Sequence, residues 1–157
     1  PLQMGGYNAE LSIAATATRV IATTTRSYGG TTGDSDVVAQ ASRSLDTLPE
    51  AVPYHVAFGA PEQRGARAVR RGDETLVTWV EQRDPTDPSQ VFARRLDKEG
   101  RPQSAPPIVL FDDSDYAIAT DGVEYLVATT SENSTRVRRL RANLEWRDPD
   151  WTTITTE

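Results

Sequence analysis

Two short acidic clusters, Asp34-Ser35-Asp36 and Asp112-Asp113-Ser114-Asp115, crowd carboxylates and a hydroxyl into a few residues of chain. Ca²⁺ is a hard ion that takes about 6 to 8 oxygen ligands, and clusters of this kind can supply several of them. Asp112, Asp113 and Asp115 are therefore the candidate metal ligands, with Ca²⁺ the cofactor they would hold. Neither cluster has the glycine and the distant glutamate of an EF-hand loop, and the plainer reading is that the carboxylates cap turns at strand ends. Paired carboxylates also serve glycoside hydrolysis, but no spacing in the sequence sets two of them at a working separation.

Other nucleophilic or basic chemistry has few residues to draw on. His55 is the only histidine, so a histidine-based triad has one candidate base, and no spacing supplies its nucleophile and orienting carboxylate. Gly33-Asp34-Ser35 resembles a serine-hydrolase box but lacks the preceding apolar strand and is followed by Asp36. A basic stripe, Arg136, Arg138, Arg139 and Arg141, precedes Trp146 and Trp151. Strand alternation puts Arg136 and Arg138 on one face and Arg139 and Arg141 on the other in the absence of a bulge. Charges of this kind protect a solvated outer strand. Arg136, Arg138, Arg139, Trp146 and Trp151 are also the candidate binding surface, with aromatic rings for a sugar or a protein partner.

The chain that must position these groups has 157 residues, 37% of them hydrophobic and 25% charged. That is a one-domain length with enough apolar content for a core, and it excludes a large multidomain enzyme and a disordered segment. No apolar run approaches the roughly 20 residues of a membrane-spanning helix, so no membrane span is expected. The opening residues carry no basic region followed by an apolar one, so no signal peptide is read there. The net charge of -6 is uneven: three basic against five acidic residues in 1–60, nine against eight in 61–111 and five against ten in 112–157. A chain so acidic is not expected to bind nucleic acid, whose phosphates require neutralisation. With no cysteine, disulfides, thiolate nucleophiles and cysteine-type zinc sites are excluded together.

The sequence repeats. A central segment reads Ala68-Val69, a Gly72-Asp73 turn, Leu76 to Val80, Val91 to Leu96, an Asp97 to Gly100 turn and Pro107 to Phe111. A later one follows the same order, with Ala117 to Ala119, Asp121-Gly122, Tyr125 to Thr130, Thr135 to Leu140 and Trp151 to Ile154. An earlier, more diverged one has Leu11 to Ala14, Val20 to Thr24, Val37 to Ser42 and Tyr54 to Phe58. Aligning the second runs makes Val20, Leu76 and Leu126 equivalent, and aligning the third runs does the same for Ala39, Ala93 and Val137. Each run is short, rich in β-branched and aromatic residues and bounded by Gly, Asp, Asn, Ser or Pro, which is the strand signature. The second runs are apolar on both sides and are expected to be buried on both faces. The single domain, 1–157, is thus read as three repeats at about 11–58, 66–111 and 116–157, all-β, each repeat a four-stranded antiparallel unit.

Gly72-Asp73-x-x-Leu76-Val77-x-Trp79, then Ala93-Arg94-Arg95-Leu96-Asp97-x-x-Gly100-x-Pro102, resembles a bacterial secreted β-propeller repeat with a Tyr-Leu-Val-Val-Trp type strand and a hairpin ending in Asp-x-x-Gly. Residues 66–111 carry the pattern well. Residues 116–157 keep the Tyr125-Leu126-Val127 strand but read Arg141-Ala142-Asn143-Leu144 at the turn. The resemblance implies a partial β-propeller of about three blades, with a β-sandwich as the alternative, in a secreted or cell-surface bacterial protein. Three blades do not close a ring, so further blades from a second copy or another polypeptide segment are the expected partners. With no catalytic constellation in view, the expected function is a non-enzymatic binding or structural module presenting loops to a glycan or a surface protein. The alternatives are a sialidase-like, glycan-active propeller fragment, whose usual Asp-box motif is missing here, and a processed fragment that only completes a larger assembly.

Overall fold

The structure, a computed structural model, describes residues 8–15, 19–27, 35–42, 53–59, 62–84, 86–131 and 134–154. They form twelve strands. β1 (Asn8–Ala15), β2 (Val20–Ser27), β3 (Ser35–Ser42) and β4 (Tyr54–Ala57) make the first sheet. The second comprises β5 (Glu62–Arg71), β6 (Glu74–Gln82), β7 (Gln90–Leu96) and β8 (Ile108–Asp112). The third comprises β9 (Tyr116–Thr120), β10 (Tyr125–Ser131), β11 (Ser134–Leu140) and β12 (Thr152–Ile154). Each sheet is an antiparallel meander in chain order, and β5, the first strand of the middle sheet, packs beside β1 and β9. The sheets therefore fan from their first strands as blades. The fold is all-β, a partial β-propeller, and the sandwich alternative falls because the faces belong to three sheets packed in series.

Burial follows from that series. The face of the first blade that meets the second contributes Ile21, Val37, Ala39 and Val56, packed against Ala66, Val77, Trp79 and Phe92. The opposite face of the second blade contributes Leu76, Val80, Val91 and Ala93, packed against Tyr116, Tyr125, Val127 and Leu140 of the third. β6 is sandwiched on both sides, and Thr75 to Glu81 are all buried, as its doubly apolar sequence requires. The expectation that β10 is equally covered fails. Tyr125, Val127 and Thr129 are buried against the second blade, but Leu126 on the other face is 45% exposed. Beside Leu126 on this face lie the exposed Ala117, Ala119 and Ile154, while Leu11 and Ile13 are exposed on the first blade.

The strand pairings correct one register. Thr23 pairs with Ala39, Thr78 with Ala93 and Ala128 with Val137, so Ala39, Ala93 and Val137 are equivalent as the sequence implied. The residue equivalent to Leu76 in the first blade is Ile21 rather than Val20. A slip of one residue reverses which face every side chain takes, and it is Ile21 that is fully buried at the seam while Val20 is partly exposed.

The hairpin turn after the third strand keeps its backbone where its sequence is lost. In the second blade Gly100 N donates to Asp97 O and Asp97 N to Arg101 O, and in the third Leu144 N donates to Arg141 O and Arg141 N to Glu145 O. Gly100 has φ +80° and Leu144 φ +68°. Leu144 tolerates the left-handed region, which disfavours side chains, while its own packs against the seam of the second and third blades. Gly100 has no such room, since a Cβ there would stand 2.9 Å from the Ala41 Cβ of the first blade. Gly100→Ala should therefore destabilise the chain by about 1–3 kcal/mol in urea unfolding, and an unchanged midpoint would mean that the two blades do not meet at this turn.

Candidate functional site

A meander of antiparallel strands brings the start of each first and third strand and the end of each second and fourth strand to one rim. At the seam of the first two blades this rim gathers Ser35 and Val37 of β3, Gln63 of β5 and Trp79 and Glu81 of β6. Glu81 is 7% exposed and Gln63 1%. The Glu81 carboxylate accepts from Trp79 Nε1 at 3.2 Å, from Gln63 Nε2 at 3.4 Å and from Arg83 Nε at 2.9 Å. Gln63 Oε1 accepts from the Val37 amide at 3.1 Å, and Ser35 Oγ accepts from Gln63 N at 2.9 Å while donating to Gln63 O at 2.6 Å. A buried charge persists only when paired and hydrogen-bonded, and three donors from both strands of the β5–β6 hairpin and its end meet that condition. The sequence held a signal for this. Glu81 lies two residues after Trp79 in a strand buried on both sides, hence on the same face, and a carboxylate there needs partners.

Beside this network lies a groove of about 320 Å³. Its walls include Phe58, which is 73% exposed, and Phe92, which stacks on Trp79 with centroids 5.9 Å apart. The Arg83 guanidinium lies 5.2 Å over the Phe92 ring. Arg94 donates to the carbonyls of Val56 at 2.9 Å and Gln103 at 3.3 Å. Pro106 and Pro107 also line it.

The residues singled out from sequence are placed as follows. The three aspartates offered as Ca²⁺ ligands are not brought together: Asp112 accepts from Gln90 Nε2, Asp113 from the Thr129 hydroxyl and Asp115 from the Thr130 hydroxyl. Asp113 also takes the amides of Ser114 and Asp115. Burial alone would raise its pKa, but these hydrogen bonds and nearby Arg136 outweigh it and hold the carboxyl below the ordinary range. Among the described residues no three acidic or histidine side chains form a metal-holding group. Asp34 lies outside the described residues, Ser35 is tied to Gln63, and His55 Nδ1 stands 3.2 Å from Asp36 with no nucleophile joined to it.

The arginine and tryptophan residues do come together on the rim between the second and third blades. Arg138 lies 4.4 Å over the Trp146 ring and Arg136 5.7 Å over Trp151. The two tryptophans are 5.6 Å apart, each against Phe111 of β8. The ring faces are thus already engaged by the chain's own cations and by Phe111. Arg139 points to the other face, as alternation required, and clasps Asp148 at 2.7 Å. The Arg139 side chain and amide hold the exposed Asp148 carboxyl at about 2, down from 3.8. A carboxyl depressed on folding adds stability above its unfolded pKa, and that contribution fades as pH falls through the folded value. The clasp should hold at pH 5 and release between about 4 and 2. Carboxyl carbon NMR should give an Asp148 midpoint near 2 that returns to the ordinary range in Arg139→Gln; an ordinary midpoint in the parent would refute the clasp.

No protein-family model matches the chain, and no curated protein matches it. Solved structures do, and they define the class first: β-propellers. In particular, the chain is similar to the GH43_1 enzyme from Xanthomonas citri complexed with xylotriose, with a TM-score of 0.70 and 13% sequence identity over 98% of this chain. The complex of that enzyme with xylose gives a TM-score of 0.65 at 14% identity. A GH43 β-xylosidase/α-arabinofuranosidase from a compost microbial metagenome, in a calcium-free form complexed with xylotriose, gives 0.61 at 12% identity over 99% of this chain. This chain spans 57% and 60% of the lengths of those two proteins. The propellers it is built like are glycoside hydrolases with five blades. That finding overturns the expectation of a non-enzymatic binding or structural module. The missing Asp-box motif had argued against an enzyme, but glycoside hydrolysis requires two carboxylates at a set separation in space, and no turn motif.

Proposed function

We propose that this chain supplies three blades of a five-bladed, glycan-active propeller, a glycoside hydrolase for which pentose-containing oligosaccharides are the first substrates to test. The observation that carries the reading is the superposition with a TM-score of 0.70 over 98% of the chain on an enzyme of which the chain spans 57%. Three blades of five is about that share, and the exposed faces at Leu126 and at Leu11 and Ile13 are where two more blades would seat. A fan that already follows a five-bladed ring leaves space for two blades, which favours another polypeptide segment over a second copy. A secreted bacterial setting belongs to the same proposal.

The reaction needs an acid and a second carboxylate about 5 to 10 Å apart, around the sugar bond. In a propeller the first strands of all blades meet at the axis, and their starts form its mouth. Glu62 opens β5 there, exposed and 2.5 Å from Arg64 Nη1, and Asp115 immediately precedes β9. Glu62 is the carboxylate assigned to the reaction, with its counterpart from Asp115 or the added blades.

The experiment supplies the ring. The chain is purified within the polypeptide or complex that completes five blades and incubated with xylotriose and arabinoxylo-oligosaccharides, and the products are resolved by anion-exchange chromatography. Shortened oligosaccharides are expected, with the rate reduced about 10²- to 10⁴-fold in Glu62→Gln. Intact oligosaccharides after exhaustive incubation would overturn the enzymatic reading. A chain that stays a folded, soluble monomer of 17.2 kDa by light scattering would overturn the need for added blades.

A further inference from the structure

The groove at the seam of the first two blades has no part in the reaction just described. It lies between the end of β4, the end of β6 and the approach to β8, with Gln63 the one residue of the first strand β5 in its lining. We propose that it is a separate binding site for a neutral oligosaccharide, recognised through vicinal hydroxyls and the apolar face of one pyranose ring.

Three observations carry this. The groove has about 320 Å³, at the lower end of the roughly 300–1,000 Å³ typical of small-molecule sites. It continues past Arg83 into a second, smaller hollow of about 100 Å³ lined by Glu81, Arg83 and Asp87, so the space is elongated, as a chain of sugars requires. Its polar wall is a buried carboxylate, Glu81, and an exposed guanidinium, Arg83, already in contact at 2.9 Å. Paired in this way they carry no net charge, yet they set an acceptor and several donors side by side. Neighbouring hydroxyls of a sugar, each of which both donates and accepts, match such a pair, and the pair is held in place from behind by Trp79 and Gln63.

The apolar lining includes Phe58, 73% exposed just after β4, together with Pro106 and Pro107. An exposed aromatic ring offers the C–H face of a pyranose an apolar platform. Arg94, the remaining cation, has two of its nitrogens engaged by the Val56 and Gln103 carbonyls, which leaves the recognition to the Glu81–Arg83 pair.

The test is a titration of the chain, isotope-labelled within the polypeptide or complex that completes five blades, with cellotriose as the neutral probe and trigalacturonate as the charged one, followed by amide chemical shifts. Cellotriose should shift the amides of Phe58, Glu81, Arg83 and Gln82 in a saturable manner, and Phe58→Ala should weaken it at least about tenfold at an unchanged melting temperature. Arg83→Ala should weaken it as well. Equal binding by both variants, or shifts confined to the starts of β5 and β9, would overturn the proposal, and so would preferential, salt-sensitive binding of trigalacturonate, which would mean that the guanidiniums capture charge. The readout is binding without turnover, so loss of the enzymatic reading leaves this one standing, and the reverse.

Discussion

Trp79→Ala should lower the unfolding free energy by about 3–5 kcal/mol, the range for truncating a fully buried large aromatic. Three effects add at this position. The indole is completely buried in the seam of the first two blades, so its removal opens a cavity between the two sheets. Its stacking partner Phe92, with rings inclined by only 18°, loses its contact on one face. The buried Glu81 carboxylate loses one of its three donors. Urea unfolding followed by circular dichroism measures the sum. A variant within about 1 kcal/mol of the parent, the ordinary mean for point substitutions, would mean that the seam is not the stabilising element described here.

Glu81→Gln should be costly although it preserves volume. Trp79 Nε1 and Gln63 Nε2 both donate to Oε2 and Arg83 Nε to Oε1, so an amide either sets its NH₂ group against the Arg83 guanidinium or, turned over, leaves both buried donors without an acceptor. An orphaned buried donor costs about 1–3 kcal/mol. The substitution should couple to Trp79→Phe, since both break the same hydrogen bond. A double-mutant cycle should give about 0.5–3 kcal/mol of interaction, and additive effects would show that the indole N–H and the carboxylate are not joined. Arg83, with a side chain 67% exposed, regains water when Glu81 is changed and adds little to the loss.

Both predictions concern residues whose local structure was legible and whose partners were not. Leu76 to Val80 announced a strand covered on both faces, because apolar residues on both sides of the strand leave no side for water, and Trp79 was readable as buried on that basis. The hairpin after the third strand was equally legible in the second blade from Asp97 and Gly100. In the third, Leu144 concealed it, since packing against Trp146 and its neighbours substituted for the conformational freedom of glycine. The first blade was misaligned by one position at Val20 because its second strand is uniformly small and β-branched, so the apolar pattern does not mark one face.

The candidate sites separate along the same line. Asp112, Asp113 and Asp115 lie within four residues of one another, which suggested a shared ligand, and each carboxylate accepts from a different partner, Gln90, Thr129 and Thr130. Spacing was enough to put Arg136 and Arg138 on one strand face with Trp146 and Trp151 shortly after, but the pairing of Arg136 with Trp151 and of Arg138 with Trp146 appears only in the structure. The Glu81 site draws on Gln63, 18 residues away, and through it on Ser35, a further 28, and no local pattern links those positions.

The sequence by itself determined the strands, their turns, their grouping into three units and the burial of β6, because each of these depends on the period of apolar residues and on turn chemistry within a few positions. Only the tertiary structure decided which faces meet, that β10 is left half covered, that a carboxylate and an arginine share a groove between blades, and that the three sheets pack in series as propeller blades. Those outcomes depend on contacts between strands far apart in the chain, where the energy of packing one sheet on another, and no local preference, selects the arrangement.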